Sequence, residues 1–88
     1  MKTPKNQHQE VIYYLLKWRN GFSLKDVIND SMFIKFNSRL SDIELEFGRI
    51  TEHPRKRVKF TNQFGRKSDY CIYKLNDEER AIEIYDKV

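Results

Sequence analysis

The spacing of apolar residues changes at Gly48, and this change limits the chain to a mixed architecture. Before Gly48, apolar residues recur every three or four positions, as on one face of a helix. After it they alternate with polar ones, as on a strand. Three helical segments followed by a strand-rich middle and a last helical stripe leave room for an α+β fold and for neither an all-helical bundle nor a sandwich. The chain has 88 residues, so we expect one domain, 1–88, with a modest core.

The first helix is expected over 4–19. Thr3 is the expected cap, and Pro4 suits the first helical position because its missing N–H would be unpaired there anyway. His8, Val11, Ile12, Leu15 and Trp18 form its inward stripe, and Asn20-Gly21 ends it. A second, short helix over 23–30 starts at Ser23-Leu24-Lys25-Asp26, a capping box, with Leu24, Val27 and Ile28 on one face. Asn29-Asp30-Ser31 favours a turn. A third helix over 34–47 carries Phe36, Leu40, Ile43 and Phe47 at spacings of 4, 3 and 4, a single clean stripe. Ser31 or Asn37 can cap its start, and Gly48 its end.

The region 49–75 reads as a short strand and a hairpin. Arg49-Ile50-Thr51-Glu52 is the short strand, stopped by Pro54. Arg57 to Thr61 alternates, with Val58 and Phe60 on one face. Asp69 to Leu75 returns, with Cys71, Tyr73 and Leu75 on one face. Asn62 to Ser68 is the connecting loop, bent at Gly65. The expected sheet packs under the three helices. A short final helix over 77–87 starts at an Asn76 cap, and its stripe of Ala81, Ile82, Tyr85 and Val88 must bury itself either on the first helix or against a second copy of the chain. Paired half-sites favour the second copy.

Charge is distributed unevenly along this pattern. The formal net charge is +4, but Arg49 to Lys67 holds seven basic residues and only Glu52 in opposition, whereas Ser68 to Val88 is net negative. Positive charge concentrated on one hairpin is the footprint of a polyanion binder.

Other chemistries find little support. Cys71 is the one cysteine, so no disulfide forms within the chain and a reducing cytoplasm fits. The start of the chain has no apolar leader, and Val11 to Leu16, its longest apolar run, is too short to span a bilayer. His8 and His53 have no ligand spacing with Cys71, so no metal site is expected. No catalytic constellation and no cofactor loop can be assembled from two isolated histidines and three scattered glycines. We expect no enzyme.

Two helices joined by a short turn and followed by a hairpin make a winged helix-turn-helix. The chain resembles the small helix-turn-helix proteins of phages and other mobile elements. The matching residues are Gly21, Ser23-Leu24, Ser38-Arg39-Leu40-Ser41-Asp42-Ile43, Gly48, Gly65-Arg66-Lys67 and Tyr73-Lys74-Leu75. The resemblance covers about Val11 to Leu75. It implies sequence-specific binding of double-stranded DNA by a transcriptional regulator or excision-type factor in a bacterial cytoplasm, nucleoid or infected host cell. Glu44 and Glu46 depart from it, because the family often has basic residues there.

With the third helix's stripe facing the core, Lys35, Asn37, Ser38, Arg39, Ser41 and Asp42 are free to face the groove. Arg39 and Asn37 are the expected base readers, since Arg pairs with guanine and Asn with adenine at two points each. In the hairpin, Arg55, Lys56, Arg57, Lys59, Arg66 and Lys67 are the expected phosphate contacts. Glu44 and Glu46 should avoid phosphate or meet the body. Phe64, odd in a solvent loop, can pack back on the hairpin, press on sugars or meet a partner, and packing back is the reading adopted. The rival function is a protein–protein module of the inhibitor or host-takeover type, docking through the acidic second half of the third helix. Binding of RNA by the hairpin is a third.

Overall fold

The computed structural model describes residues 3–88. Met1 and Lys2, the start of the expected domain and of the stretch read for a leader, lie outside the described residues. The chain is α+β, with helices α1 (Gln7–Lys17), α2 (Leu24–Ser31), α3 (Phe36–Phe47) and α4 (Glu78–Tyr85) and strands β1 (Lys56–Thr61) and β2 (Lys67–Ile72).

The helices form where local chemistry favours them. α1 starts later than expected, because the Asn6 side chain accepts from the Gln9 amide at 2.9 Å and so caps it in place of Thr3. In α2 the Asp26 carboxylate accepts from both the Ser23 amide (2.9 Å) and its hydroxyl (3.3 Å). The α2–α3 turn contains no glycine; Met32 itself takes the left-handed conformation, φ 59°. Neither Ser31 nor Asn37 caps α3, whose N-cap position is Lys35. Its stripe faces inward, with Phe36, Leu40 and Ile43 buried and Phe47 packed on their margin.

Val11, Ile12, Tyr14, Leu15 and Leu16 from α1 meet Val27, Phe36, Leu40, Ile43 and Ile50 in one core. Of the expected α1 stripe, Trp18 packs on the core's edge and His8 is only half-buried. Phe22, Phe36 and Tyr73 form an aromatic cluster with ring centroids 5.0–5.7 Å apart. Tyr14 Oη donates to Asp30 Oδ2 at 2.6 Å, tying α1 to the end of α2.

α4 settles against α1. Its cap is Asp77, one residue later than expected, and its buried residues are Ala81, Ile84 and Tyr85, while Ile82 is exposed. The final stripe is therefore covered by the chain's own body, because the helix lies rotated so that Ile84 replaces Ile82. Arg80 Nη2 donates to the Phe47 carbonyl at 3.0 Å and closes the end of α3.

The sheet has two strands, paired antiparallel with Val58 opposite Tyr70 and Lys59 opposite Asp69. The expected strand over 49–52 reduces to a single bridge, Thr51 to Leu75, and a second bridge joins Phe22 to Tyr73. These bridges pin the base of the hairpin. Beyond them β1 is exposed throughout, as is β2 up to Tyr70, so the hairpin's outer part projects from the helices and does not pack under them, while the inner end of β2 stays in contact with α2. Six residues per strand give it a length of about 20 Å, consistent with the molecule's extents of 44 × 25 × 21 Å. Gly21 makes the close approach at its base possible: φ is +121°, and a Cβ there would lie 3.0 Å from Ile72 Cγ2.

Candidate nucleic-acid interface

Cross-strand partners share a face of a hairpin, and faces alternate along each strand. One face therefore holds Lys56, Val58, Phe60, Ser68, Tyr70 and Ile72, and the other Arg57, Lys59, Thr61, Lys67, Asp69 and Cys71. The apolar face is held by the Phe60 and Tyr70 rings, 5.8 Å apart. Tyr73 continues the second face into the body, where it stacks edge-on with Phe36 and its hydroxyl donates to Asn37 Oδ1 at 3.1 Å. The cationic face thus runs on from the first turn of α3.

Charge pairing separates the hairpin's cations into two groups. Arg57 meets Asp69 at 3.3 Å across the strands, in a solvent-exposed pair. Lys56, Lys59, Arg66 and Lys67 are exposed and lack an acidic partner among the described residues. Surface pairs hold little energy, so Arg57 also remains available to an incoming anion.

Arg55 belongs to neither group. Its Nη2 donates to Glu44 Oε1 at 3.0 Å, its guanidinium lies over the Tyr73 ring at 5.2 Å, and the side chain is mostly covered. Expected as a phosphate contact, it serves instead to fasten the hairpin's root to α3. Glu44 is the hub of that joint. Its Oε2 accepts from the amides of Ile50 (3.0 Å) and Thr51 (3.3 Å) and the Thr51 hydroxyl (2.9 Å). His53 Nε2 lies 3.5 Å from the same oxygen. Burial alone would raise the Glu44 carboxyl; the Ile50 amide, the Thr51 hydroxyl and amide and the Arg55 charge outweigh it and hold it below the ordinary glutamate value. Glu44 meets the body, one of the two placements expected of it.

The outward side of α3 has a different character. At 100° per residue, Ser38, Ser41 and Leu45 lie opposite the buried stripe, and Leu45 is 87% exposed. Ile34, just before the helix, is also exposed. Arg39 lies to one side, half-buried: its Nε donates to Gln7 Oε1 at 2.9 Å and its Nη1 to Asp42 Oδ2 at 3.2 Å. His8 Nε2 approaches the same Asp42 oxygen at 3.4 Å. Asn37 lies on the other side, against Tyr73. Lys35 is exposed at the helix start. Of the residues expected to face the groove, Ser38 and Ser41 are outward and their side chains make no hydrogen bond among the described residues, whereas Arg39, Asp42 and Asn37 already hold partners.

Phe64 does not pack back. It stands at the hairpin tip, 83% exposed.

Among the described residues no group of three or more metal-binding side chains comes together, and no helix is long and apolar enough to cross a membrane. No protein-family model matches the sequence, and no curated protein or solved structure matches it.

Proposed function

We propose that the chain is a winged-helix binder of double-stranded DNA whose hairpin supplies most of the grip. The observation that carries this reading is the set Lys56, Lys59, Arg66 and Lys67, without an acidic partner among the described residues, on a hairpin whose outer part projects from the body. Folding gains little from that arrangement: of the four, Lys59 faces an acid across the strands, Asp69, without an ion pair, and concentrated positive charge repels itself. A phosphate backbone turns the same cost into affinity through release of counterions.

The continuity of the cationic face with the first turn of α3 supports a docking in which Lys35, Ser38 and Ser41 lie beside the backbone while the hairpin follows the flanking groove. Base reading by Arg39 then requires it to leave Gln7 and Asp42. A role as a regulator or excision-type factor of a mobile element, acting in the cytoplasm or nucleoid, fits this reading. The test is a gel shift on random duplex DNA followed by a salt titration: we expect binding at low salt and a log–log slope of about −3 to −5, at about 0.9 per phosphate contact. Absence of a shift at low salt would refute the reading.

One observation favours a second reading. Leu45 and Ile34 are exposed on the outward side of α3, with Asp42 and Glu46 beside them. This is the composition of a protein-docking face rather than of a groove reader. A chain that shifts no duplex yet loses a partner on Leu45→Glu substitution would favour it.

A further inference from the structure

We propose that Phe64 is a wedge that enters the minor groove and partly unstacks one base step, so that binding kinks the duplex. The proposal rests on the reading of the chain as a binder of duplex DNA and adds to it what the tip does there.

The loop does not need this ring. Asn62 Oδ1 accepts from the amides of Phe64 and Arg66, both at 2.9 Å. The Asn62 amide donates to the Arg66 carbonyl at 2.9 Å, and the Gly65 amide to the Asn62 carbonyl at 3.0 Å. Gly65, at φ +80°, supplies the left-handed bend. Four hydrogen bonds and one glycine therefore fix the turn through backbone and Asn62 alone. Phe64 projects from this frame without a ring contact among the described residues, whereas Phe60 and Tyr70 cover one another. The fold leaves a large apolar surface in water at its farthest point.

The surroundings indicate what the ring meets. From Lys59 to Lys67 there are three cations and no acidic residue. An apolar partner surface would be reached only past Lys59, Arg66 and Lys67, which pay for desolvation on a neutral protein. The minor groove offers both things the tip lacks: a concentrated negative potential for the cations and an apolar base step for the ring. Phenylalanine is among the side chains that insert between base steps from that groove, with kinks of about 20–90°. A rigid tip matters, because the unstacking cost must be met by a ring already held in position. Pyrimidine–purine steps, which unstack most readily, are the expected points of entry.

The test uses the full chain and a 30-base-pair duplex carrying a donor and an acceptor dye at its ends and 2-aminopurine beside a central TA step. Because Phe64 is exposed, Phe64→Ala should melt as the wild type does. With the wild type we expect the ends to approach and the 2-aminopurine emission to rise. Phe64→Leu should keep both changes, since a smaller apolar wedge remains, and Phe64→Ala should lose both while still shifting the duplex. A wild type that shifts the duplex without bending it, or a Phe64→Ala variant that bends it equally, overturns the wedge and leaves the hairpin grip standing. A wild type that prefers the single strand, with the preference lost in Phe64→Ala, overturns it in favour of stacking on unpaired bases. If no duplex is shifted at all, the DNA reading itself has failed.

Discussion

The body and the hairpin use their residues for opposite purposes. In the body, a core of apolar side chains is buried and many polar ones are bonded: Val11, Ile12, Leu15, Phe36 and Leu40 are fully covered, and even Arg39 and Asn37 hold partners, while Ile34, Leu45 and Ile82 are left exposed on its surface. In the hairpin, Phe60 and Tyr70 are half-exposed, Phe64 is in water, and four cations lack an acidic counterpart among the described residues. A two-stranded ribbon of this kind is marginal on its own. The contrast is between a packed body and an exposed, cation-rich ribbon, joined through Glu44 and Arg55; under the proposed function, stability and recognition fall to separate parts of one small chain.

Core substitution gives the most direct way to break that comparison. Leu40→Ala removes a fully buried side chain between α1 and α3 and should cost about 2–5 kcal/mol. Phe60→Ala, on the hairpin's apolar face, removes a cross-strand contact and should cost about 1 kcal/mol or less. Chemical denaturation of both variants checks this. Equal losses would mean that the hairpin belongs to the core.

The joint comes next in size. Glu44→Gln keeps the shape but removes the charge that faces Arg55 and the amides of Ile50 and Thr51. We expect a loss of about 2–4 kcal/mol at neutral pH, as for a largely buried pair broken on one side. The pH dependence has a definite sign. A carboxyl held below its ordinary value contributes fully above that value, about pH 4.5, and loses the contribution as pH falls through the depressed value. The wild type should therefore lose more stability than Glu44→Gln on acidification below about pH 4.5, and the two curves should converge. Curves that stay parallel would mean that Glu44 does not titrate against the fold.

How much of this was legible in the sequence divides along the same line. The register of α3 was legible because a 4-3-4 stripe has one way to face a core, and the strand pairing because Val58 and Phe60 alternate with cations around a glycine turn. What the alternation could not reveal is that the outer part of the apolar face, Val58, Phe60 and Tyr70, stays exposed; period fixes which residues share a side and leaves open whether that side is buried. The joint was missed for another reason. Glu44 reads as a surface acid by its helix position, and only the chain's return through Thr51 and Arg55 encloses it. α4 went wrong by rotation: Ile82 and Ile84 each complete a plausible stripe with Ala81 and Tyr85, and packing on α1 chose Ile84. The residues expected to read bases, Arg39 and Asn37, were chosen by type, and Gln7, Asp42 and Tyr73, which hold them, come from other turns and elements.

Charge removal at the tip is a smaller perturbation of the fold and a sharper one of the interface. The variant Lys59→Gln/Arg66→Gln/Lys67→Gln should melt within about 0.5 kcal/mol of the wild type, since none of the three is buried. Its salt slope on random duplex should be flatter by about 2.7, at about 0.9 per lost phosphate contact. The same slope with lower affinity would place the grip elsewhere than on these cations.

The smallest expected effect is at Arg39, and it tests whether the body takes part in recognition. The guanidinium now bonds Gln7 and Asp42 on a half-exposed flank. An exposed pair of that kind holds about 0–1 kcal/mol, so leaving it is cheap, but the outward side of α3 carries Ser38, Ser41 and Leu45, and Lys35 at its start is set against Asp42 and Glu46, so little net charge draws the helix into a groove. We therefore expect Arg39→Ala to weaken binding by less than about 1 kcal/mol on any duplex, and by less than the loss at the hairpin tip. A guanine contact would behave differently, with a loss of about 1–3 kcal/mol confined to one base pair of a preferred site. Asp42→Asn separates the two cases. If Arg39 reads a base once released, Asp42→Asn should strengthen binding in the presence of Arg39 and not in the Arg39→Ala background. If the gain is the same in both, only the helix's charge has changed, and Arg39 is a structural tie between α3 and α1.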